Sequence, residues 1–221
     1  LNTDGSKDVS FNIGTGFGGG FNGEIYSIAI QTDGKILVGG NFSTFTGSTQ
    51  NKLIRLNSNG SKDVSFNIGT GFNSPVNSIK IQSDGKILVG GDFVTFTGSS
   101  QNYFIRLNTD GSKDTTFDIG GGFGDKVRSI SIRSNGDILA GGDFNGYGGI
   151  LSNRIVKIGG DLVTINDNFN TGSGFDSDVN SVLVDSNGKI LVGGSFTTYT
   201  GSSQNRLIRL NSDASKDTIF N

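Results

Sequence analysis

An all-β fold of stacked antiparallel sheets is what this sequence predicts, and three observations predict it. A unit of about fifty residues recurs: the double glycines Gly39-Gly40, Gly90-Gly91, Gly141-Gly142 and Gly193-Gly194 lie 51, 51 and 52 residues apart. Within each unit, apolar and polar residues alternate with the two-residue period of a strand. No segment shows a capped helical period, so essentially no helix is expected.

Cutting before each "GxGF" divides the 221-residue chain into repeats 14–68, 69–119, 120–171 and 172–221 of one domain. Residues 1–13 match the last strand of a preceding unit. The second repeat shows the elements in order, four short strands joined by turns. "VNSIKIQ" sets Ile79 and Ile81 on one face, with Ser78 and Lys80 on the other. "SDG" then supplies an Asp-Gly hairpin turn. "KILVGG" places Ile87, Leu88 and Val89 in a row, the mark of a strand buried on both faces. After the polar loop "TFTGSSQN" come "YFIRLN", the turn "TDGS", and "TTFDI" with Phe117 and Ile119 alternating.

A sheet whose middle strand is apolar on both faces must be covered on each side by another sheet. Identical units meet that need by packing face to face around an axis, which makes a β-propeller of four-stranded antiparallel blades the expected architecture. The glycine pair is expected to remove side chains where neighbouring backbone comes close, or to permit a bulge. A parallel β-helix is the alternative, but its coils are shorter and tight Asp-Gly hairpins do not suit it. The end motif occurs twice, as "LNTDGSKDVSF" and "LNSDASKDTIF". The four repeats are therefore read as part of a larger propeller, and the chain as a window cut from a longer protein.

The motifs "RLNTDGSKDTTFDIGGGF" and "VRSISIRSNGDILAGGDF" resemble the delta-60 repeat, a propeller-forming unit of bacterial and viral surface proteins. The strand end "ILVGG" is similar to that of Kelch repeats. The pattern departs at "KIGGDLVTIND", residues 157–167, where a changed outer turn is expected. The resemblance implies a scaffold with an extracellular, cell-surface or virion-surface setting, and implies no reaction.

Composition narrows the function classes. With 37 Gly and 17 Phe but no Trp or Met, the turns fall to glycine and the core to phenylalanine. A formal charge of −2 leaves no basic footprint for nucleic acid. No apolar run reaches the length of a membrane-spanning helix, so no membrane insertion is expected in this segment. The absence of Cys and Met fits an oxidising location. Without His or Cys, metal–His sites, thiol nucleophiles and the usual triad base are excluded, and the chain is read as no enzyme.

Three groups of candidate residues remain. The turn "NTDGSKD" sets Asn2, Asp4, Ser6 and Asp8 at alternate positions, as loops that wrap Ca²⁺ do. It recurs at Asn57, Asn59, Ser61 and Asp63; at Asn108, Asp110, Ser112 and Asp114; and at Asn211, Asp213, Ser215 and Asp217. No bidentate Glu follows, Ala214 replaces the glycine, and the same residues make ordinary tight turns, so no cofactor is the preferred reading and Ca²⁺ the alternative.

Arg55, Arg106, Lys157 and Arg209 form a repeated basic row, and Asn41, Asp92, Asp143 and Ser195 follow the double glycines. They could form an anion-binding ring, or a catalytic carboxylate pair from Asp92 and Asp143. The structural reading is Arg–Asp pairing between blades, or Arg stems lying over apolar neighbours.

The loop "TFTGSSQN" and its equivalents offer Phe45, Phe96, Tyr147 and Tyr199 beside Gln50, Gln101 and Gln204. Aromatic faces with neutral hydrogen-bonding groups suit sugar rings or peptide surfaces, whereas the competing reading makes the rings caps on the blade core. The long loop "GFGGGFNGE", with Phe17, Phe21 and Glu24, is a second candidate because it breaks the repeat symmetry.

The expected function is a non-catalytic surface interaction module that binds glycan or protein through blade loops, on a secreted, cell-surface or phage-tail-like protein. The alternatives are a structural component of a larger particle and a carboxylate-based carbohydrate-active enzyme. Further repeats of the same chain, or a homo-oligomer, are the other expected partners.

Overall fold

A computed structural model describes residues 1–19, 23–159 and 168–220. Phe21 and most of the divergent turn, residues 160–167, lie outside the described residues. Four three-stranded antiparallel sheets follow one another along the chain. Sheet one comprises Glu24–Ile30, Ile36–Asn41 and Leu53–Leu56; sheet two comprises Val76–Ile81, Ile87–Gly91 and Phe104–Leu107. Sheet three comprises Val127–Ile132, Ile138–Gly142 and Ile155–Ile158; sheet four comprises Val179–Val184, Ile190–Gly194 and Leu207–Leu210. The "ILVGG" strand is the middle one in every sheet. No α-helix occurs among the described residues.

Each sheet has three strands rather than the expected four. The segment "TTFDI" is a run of turns instead: Phe117 N–H donates to the Asp114 carbonyl, and Asp114 Oδ1 accepts from the Thr116 N–H and hydroxyl. Those side-chain bonds compete with ladder pairing, which is why Asp and Thr at this spacing favour a turn. The apolar pair it carries is still buried, since Phe117 and Ile119 pack into the core between sheets two and three. The polar loop contributes a separate small ribbon in each repeat, two-stranded in the last three, such as Thr95–Phe96 with Ser99–Ser100, and three-stranded in the first, where Phe17–Gly18 joins Thr44–Phe45 and Ser48–Thr49.

The core lies between sheets. Leu37 and Leu53 of sheet one pack with Val76, Ile79 and Phe93 of sheet two. Leu88 and Phe104 meet Val127, Ile130 and Phe144, and Leu139 and Ile155 meet Val179, Val182 and Phe196. The glycine pair has two separate jobs. At Gly39, an added Cβ would lie 2.5 Å from Val76 Cγ1 and 2.8 Å from Ile79 Cδ1, so the glycine is a socket for the next sheet. At Gly40 the added carbon would strike the Glu24 carbonyl oxygen, beside a bulge in the neighbouring strand.

A polar bond repeats at every joint. Ser27 Oγ accepts from Ile79 N–H, Ser78 Oγ from Ile130 N–H, and Ser129 Oγ from Val182 N–H, each at 3.0 Å. Each first strand thus satisfies a free-edge donor with a hydroxyl from the sheet before it.

Candidate functional site

The bulge falls at the same place in each sheet: register shifts between Ile25 and Ser27, Val76 and Ser78, Val127 and Ser129, and Val179 and Ser181. The extra residues are Tyr26, Asn77, Arg128 and Asn180. A bulge re-aims a side chain out of the pleat. All four line one cavity of about 400 Å³. The stacking of the sheets thus brings together four residues that lie far apart in sequence.

Neighbouring positions surround this mouth. Tyr26 is about half exposed, and its hydroxyl donates to Glu24 Oε2 at 2.5 Å. That bond, with partial burial and the Glu24 charge, pushes the Tyr26 phenol up and keeps it neutral. Asn77 Nδ2 donates to Asp92 Oδ1 at 2.8 Å and to the Val127 carbonyl at 3.2 Å. Arg128 grips Asp143 with two donors, the Nη2–Oδ2 bond measuring 2.7 Å. The Asp143 carboxylate, ahead of the cost of burial and the charge of Asp178, raises the Arg128 pKa further. Asp178 lies 3.7 Å from Arg128 Nη2 and 3.6 Å from Arg154 Nη1, and Lys126 lies 3.5 Å from Asp92. Lys52 Nζ donates to Asn41 Oδ1 at 2.9 Å. Acidic and basic groups are interleaved around the cavity, so it holds no single-sign field.

The residues at the mouth differ from repeat to repeat where the scaffold does not. The bulge row reads Tyr, Asn, Arg, Asn; the row after the glycines reads Asn, Asp, Asp, Ser. A third row, Lys52, Tyr103, Arg154 and Arg206, holds positive φ values of 62–71°. Left-handed backbone at four bulky residues costs strain that the surrounding sheet must hold in place. Sequence reading missed the bulge row. Its signal was present as the variable position in "IYSI", "VNSI", "VRSI" and "VNSV".

The sequence-nominated loop residues sit elsewhere. Phe45 and Phe96 are 4% exposed, Tyr147 2% and Tyr199 3%. The expectation that these rings face a ligand is corrected: they are core. Phe96 packs 4.8 Å from Phe72, and Tyr199 lies 4.6 Å from Phe175 with its hydroxyl donating to the Ala214 carbonyl. Burial pushes the Tyr147 and Tyr199 phenols well above their ordinary range. The rings follow a strand alternation that turns every second side chain inward, and the short ribbon continues that alternation. Gln50, Gln101 and Gln204 donate to the carbonyls of Leu53, Phe104 and Leu207, which braces the loop against the third strand. Gln50 and Gln101 also line small clefts of about 300 and 170 Å³ at the joints. Phe17 packs at a tilt against Phe42 and Phe45, and Glu24 accepts the Tyr26 hydroxyl at the mouth.

The turn residues do not converge on a cation. Asp4, Asn59, Asp110 and Asp213 each accept from the serine two residues on, so Ser6, Ser61, Ser112 and Ser215 are spent within the turn. Among the described residues no cluster of three carboxylates is close enough to hold a metal. Asp8 binds Ser10, and its equivalents are ion-paired. Asp63 Oδ2 meets Arg55 at 2.8 Å and Lys35 at 3.0 Å; Asp114 meets Arg106 and Lys86 at the same distances. Burial alone would raise these carboxyls, but the Ser65 or Thr116 hydroxyl and the two bases hold both well below the carboxylate range.

The basic row is therefore engaged, each base with an acid of its own repeat and Arg55 also with the Thr109 carbonyl of the next one, and neither a free anion ring nor a pairing with Asp92 and Asp143 forms. Each guanidinium also covers a ring: Arg55 over Phe66, Arg106 over Phe117 and Arg209 over Phe220, at 4.2–4.7 Å. Lys157 departs, meeting Asp137 at 3.8 Å.

The model of a β-propeller domain of unknown function (DUF5122) matches residues 31–66, 82–117 and 186–220. With the repeated sheets, these matches support a β-propeller repeat family. Among curated proteins none matches the chain. Solved structures share the fold. PorZ, a surface component of the type-IX secretion system of Porphyromonas gingivalis, aligns with a TM-score of 0.52 at 13% identity, over 77% of this chain and 24% of that one. A gluconolactonase from Xanthomonas campestris aligns at 0.51 and 14%, over 86% and 59%. The extracellular domain of BT3049 from B. thetaiotaomicron aligns at 0.50 and 21%, over 87% and 22%. The chain spans 21–22% of the length of the B. thetaiotaomicron proteins it matches. At these identities the likeness is one of fold.

Proposed function

We propose that the chain is a non-catalytic interaction module that takes a neutral or zwitterionic polar ligand, foremost a glycan, at the mouth lined by the bulge row. One observation carries the reading: four repeat-equivalent but chemically different side chains converge on a single cavity. An exposed aromatic face at Tyr26, flanked by the amides of Asn77 and Asn180, is the pairing that sugar rings require, apolar stacking plus hydrogen bonds to hydroxyls. The interleaved charges disfavour a strongly charged partner. No cofactor is assigned to the module.

A location outside the cell is part of the same proposal. It is supported by the delta-60 resemblance and by the fold shared with a bacterial surface component and an extracellular domain.

Glycan-array screening followed by calorimetry tests the reading. Tyr26→Ala and Asn180→Ala are each expected to weaken the selected ligand by about tenfold, the scale of a lost anchor residue. The melting temperature should hold, because both side chains stand outside the core. Binding that survives both substitutions overturns the assignment of the mouth.

A further inference from the structure

We infer that the two clefts at the joints are repeated binding sites for a single sugar residue, separate from the mouth. The inference is independent of what the mouth binds. It rests on a pair of buried glutamines, each with an acceptor that the protein itself leaves open.

The same cleft is built twice. Gln50, Lys62, Phe66, Asn67 and Ile68 line the first, and their equivalents Gln101, Lys113, Phe117, Asp118 and Ile119 line the second. Phe66 and Ile68 belong to the core between sheets one and two, and Phe117 and Ile119 to that between sheets two and three. Neither cleft depends on the outward face of the first or last sheet.

The glutamines form the polar floor. Each is only 8% exposed, and its Nε2 donates inward, Gln50 to the Leu53 carbonyl and Gln101 to the Phe104 carbonyl, both at 2.6 Å. That bond fixes the orientation of the amide, so Oε1 is the acceptor that remains. Among the described residues no donor reaches it, and it is not sealed from the cleft. An amide oxygen held nearly out of solvent favours a partner with a donor, because leaving it unpaired costs free energy.

The rim supplies the opposite group. Lys62 and Lys113 are exposed, and among the described residues neither is ion-paired. Asn67 Oδ1 accepts from the Gly69 N–H at 2.9 Å and Asp118 Oδ1 from the Gly120 N–H at 2.8 Å, which leaves Asn67 Nδ2 and Asp118 Oδ2 unbonded. A buried acceptor beside an open donor suits a group that gives a hydrogen to one and takes one from the other. A hydroxyl does both, and a sugar ring carries several on a body small enough for clefts of about 170 and 300 Å³. An anion is disfavoured, since Asp118 stands in the second cleft where Asn67 stands in the first. A peptide strand is disfavoured too, because the turns 66–70 and 117–122 that wall the clefts carry no strand for it to pair with.

The walls are set before any ligand arrives. Gly71 and Gly122 hold φ values of 75° and 66°, and their N–H groups donate to the Ile68 and Ile119 carbonyls at 2.9 Å. A turn already ordered loses little freedom on binding. Two like sites on one body also act together on a glycan that presents the same residue more than once.

Heteronuclear NMR of the labelled chain, titrated to millimolar levels with the methyl glycosides of glucose, galactose, mannose and N-acetylglucosamine, tests the sites. At least one glycoside is expected to give saturable shifts at the Gln50 and Gln101 side-chain amides and at Gly69 and Gly120. Replacing either glutamine would also release its loop, so the lysines are changed instead. Lys62→Ala should weaken the first cleft about tenfold, the scale of one hydrogen bond to a charged group, and Lys113→Ala the second. Each should leave the other cleft and the melting temperature unchanged. Tyr26→Ala should leave both clefts unaffected, which keeps this result separate from that of the mouth. No saturable shift at either cleft overturns the inference, as do shifts at one cleft alone or binding that survives both lysine substitutions. A stronger response to an acetylated tetra-alanine amide than to any glycoside overturns it as well.

Discussion

The joints between sheets and the bulge row at the mouth share the first strand of each sheet and obey opposite rules. At the joints the residues barely change from repeat to repeat: a glycine socket, two aliphatic side chains entering it and a serine hydroxyl across the gap. At the mouth, one residue away along the same strand, Tyr, Asn, Arg and Asn follow one another. The difference is one of constraint. A joint residue must fit a neighbour on every side at crystal-like density, so one solution is repeated. A bulged residue points into open space, and its chemistry is left to whatever the space must hold.

The largest expected effect comes from breaking a joint at its centre. Phe93 is fully buried and its ring lies 4.5 Å from that of Phe72. Phe93→Ala should cost about 3–5 kcal/mol in urea unfolding, through lost burial plus a cavity. A loss no larger than that of a surface substitution would show that the sheets are not held by this core.

A smaller effect tests the socket itself. A Cβ at Gly90 would lie 2.6 Å from Val127 Cγ1. Gly90→Val should destabilise by about 1–3 kcal/mol by overpacking. An unchanged stability would mean that the neighbouring sheet does not fill the socket.

The smallest effect is in the acid limb. Asp63 and Asp114 have folded pKa values depressed below the ordinary ~3.9 of an unfolded aspartate. Their stabilisation is complete above that value and is lost as the pH falls through the folded values. Stability should therefore be flat down to about pH 5 and decline below it. In Asp114→Asn that decline should be shallower, while the stability at neutral pH is already reduced. An acid limb identical to the parent's would remove Asp114 from the account.

Much of the architecture was legible along the chain. The strand of Ile87, Leu88 and Val89 announced two buried faces, and Asp-Gly turns announced antiparallel neighbours. "TTFDI" misled because alternating Phe117 and Ile119 satisfy a strand pattern even when the backbone between them turns. Those two residues are buried by the next sheet and not by their own. The loop aromatics misled for a related reason. A ring flanked by Ser, Thr and Gln reads as accessible, yet Phe96 and Tyr199 fall on the inward side of a short ribbon. Asp63 and Asp114 looked like turn residues or metal ligands, and the bases that claim them come from strands eight and more residues away along the chain.

By itself the sequence determined the repeat, its all-β character and the need of each sheet for a cover on both sides, because periodicity and two-faced burial are properties of residues taken in order. Tertiary structure alone decided which side chains share a cavity and which loop rings are buried. Those follow from how one sheet is placed on the next, and a bulge of one residue, which the sequence marks only as a variable position, is enough to turn a side chain from the sheet into the mouth.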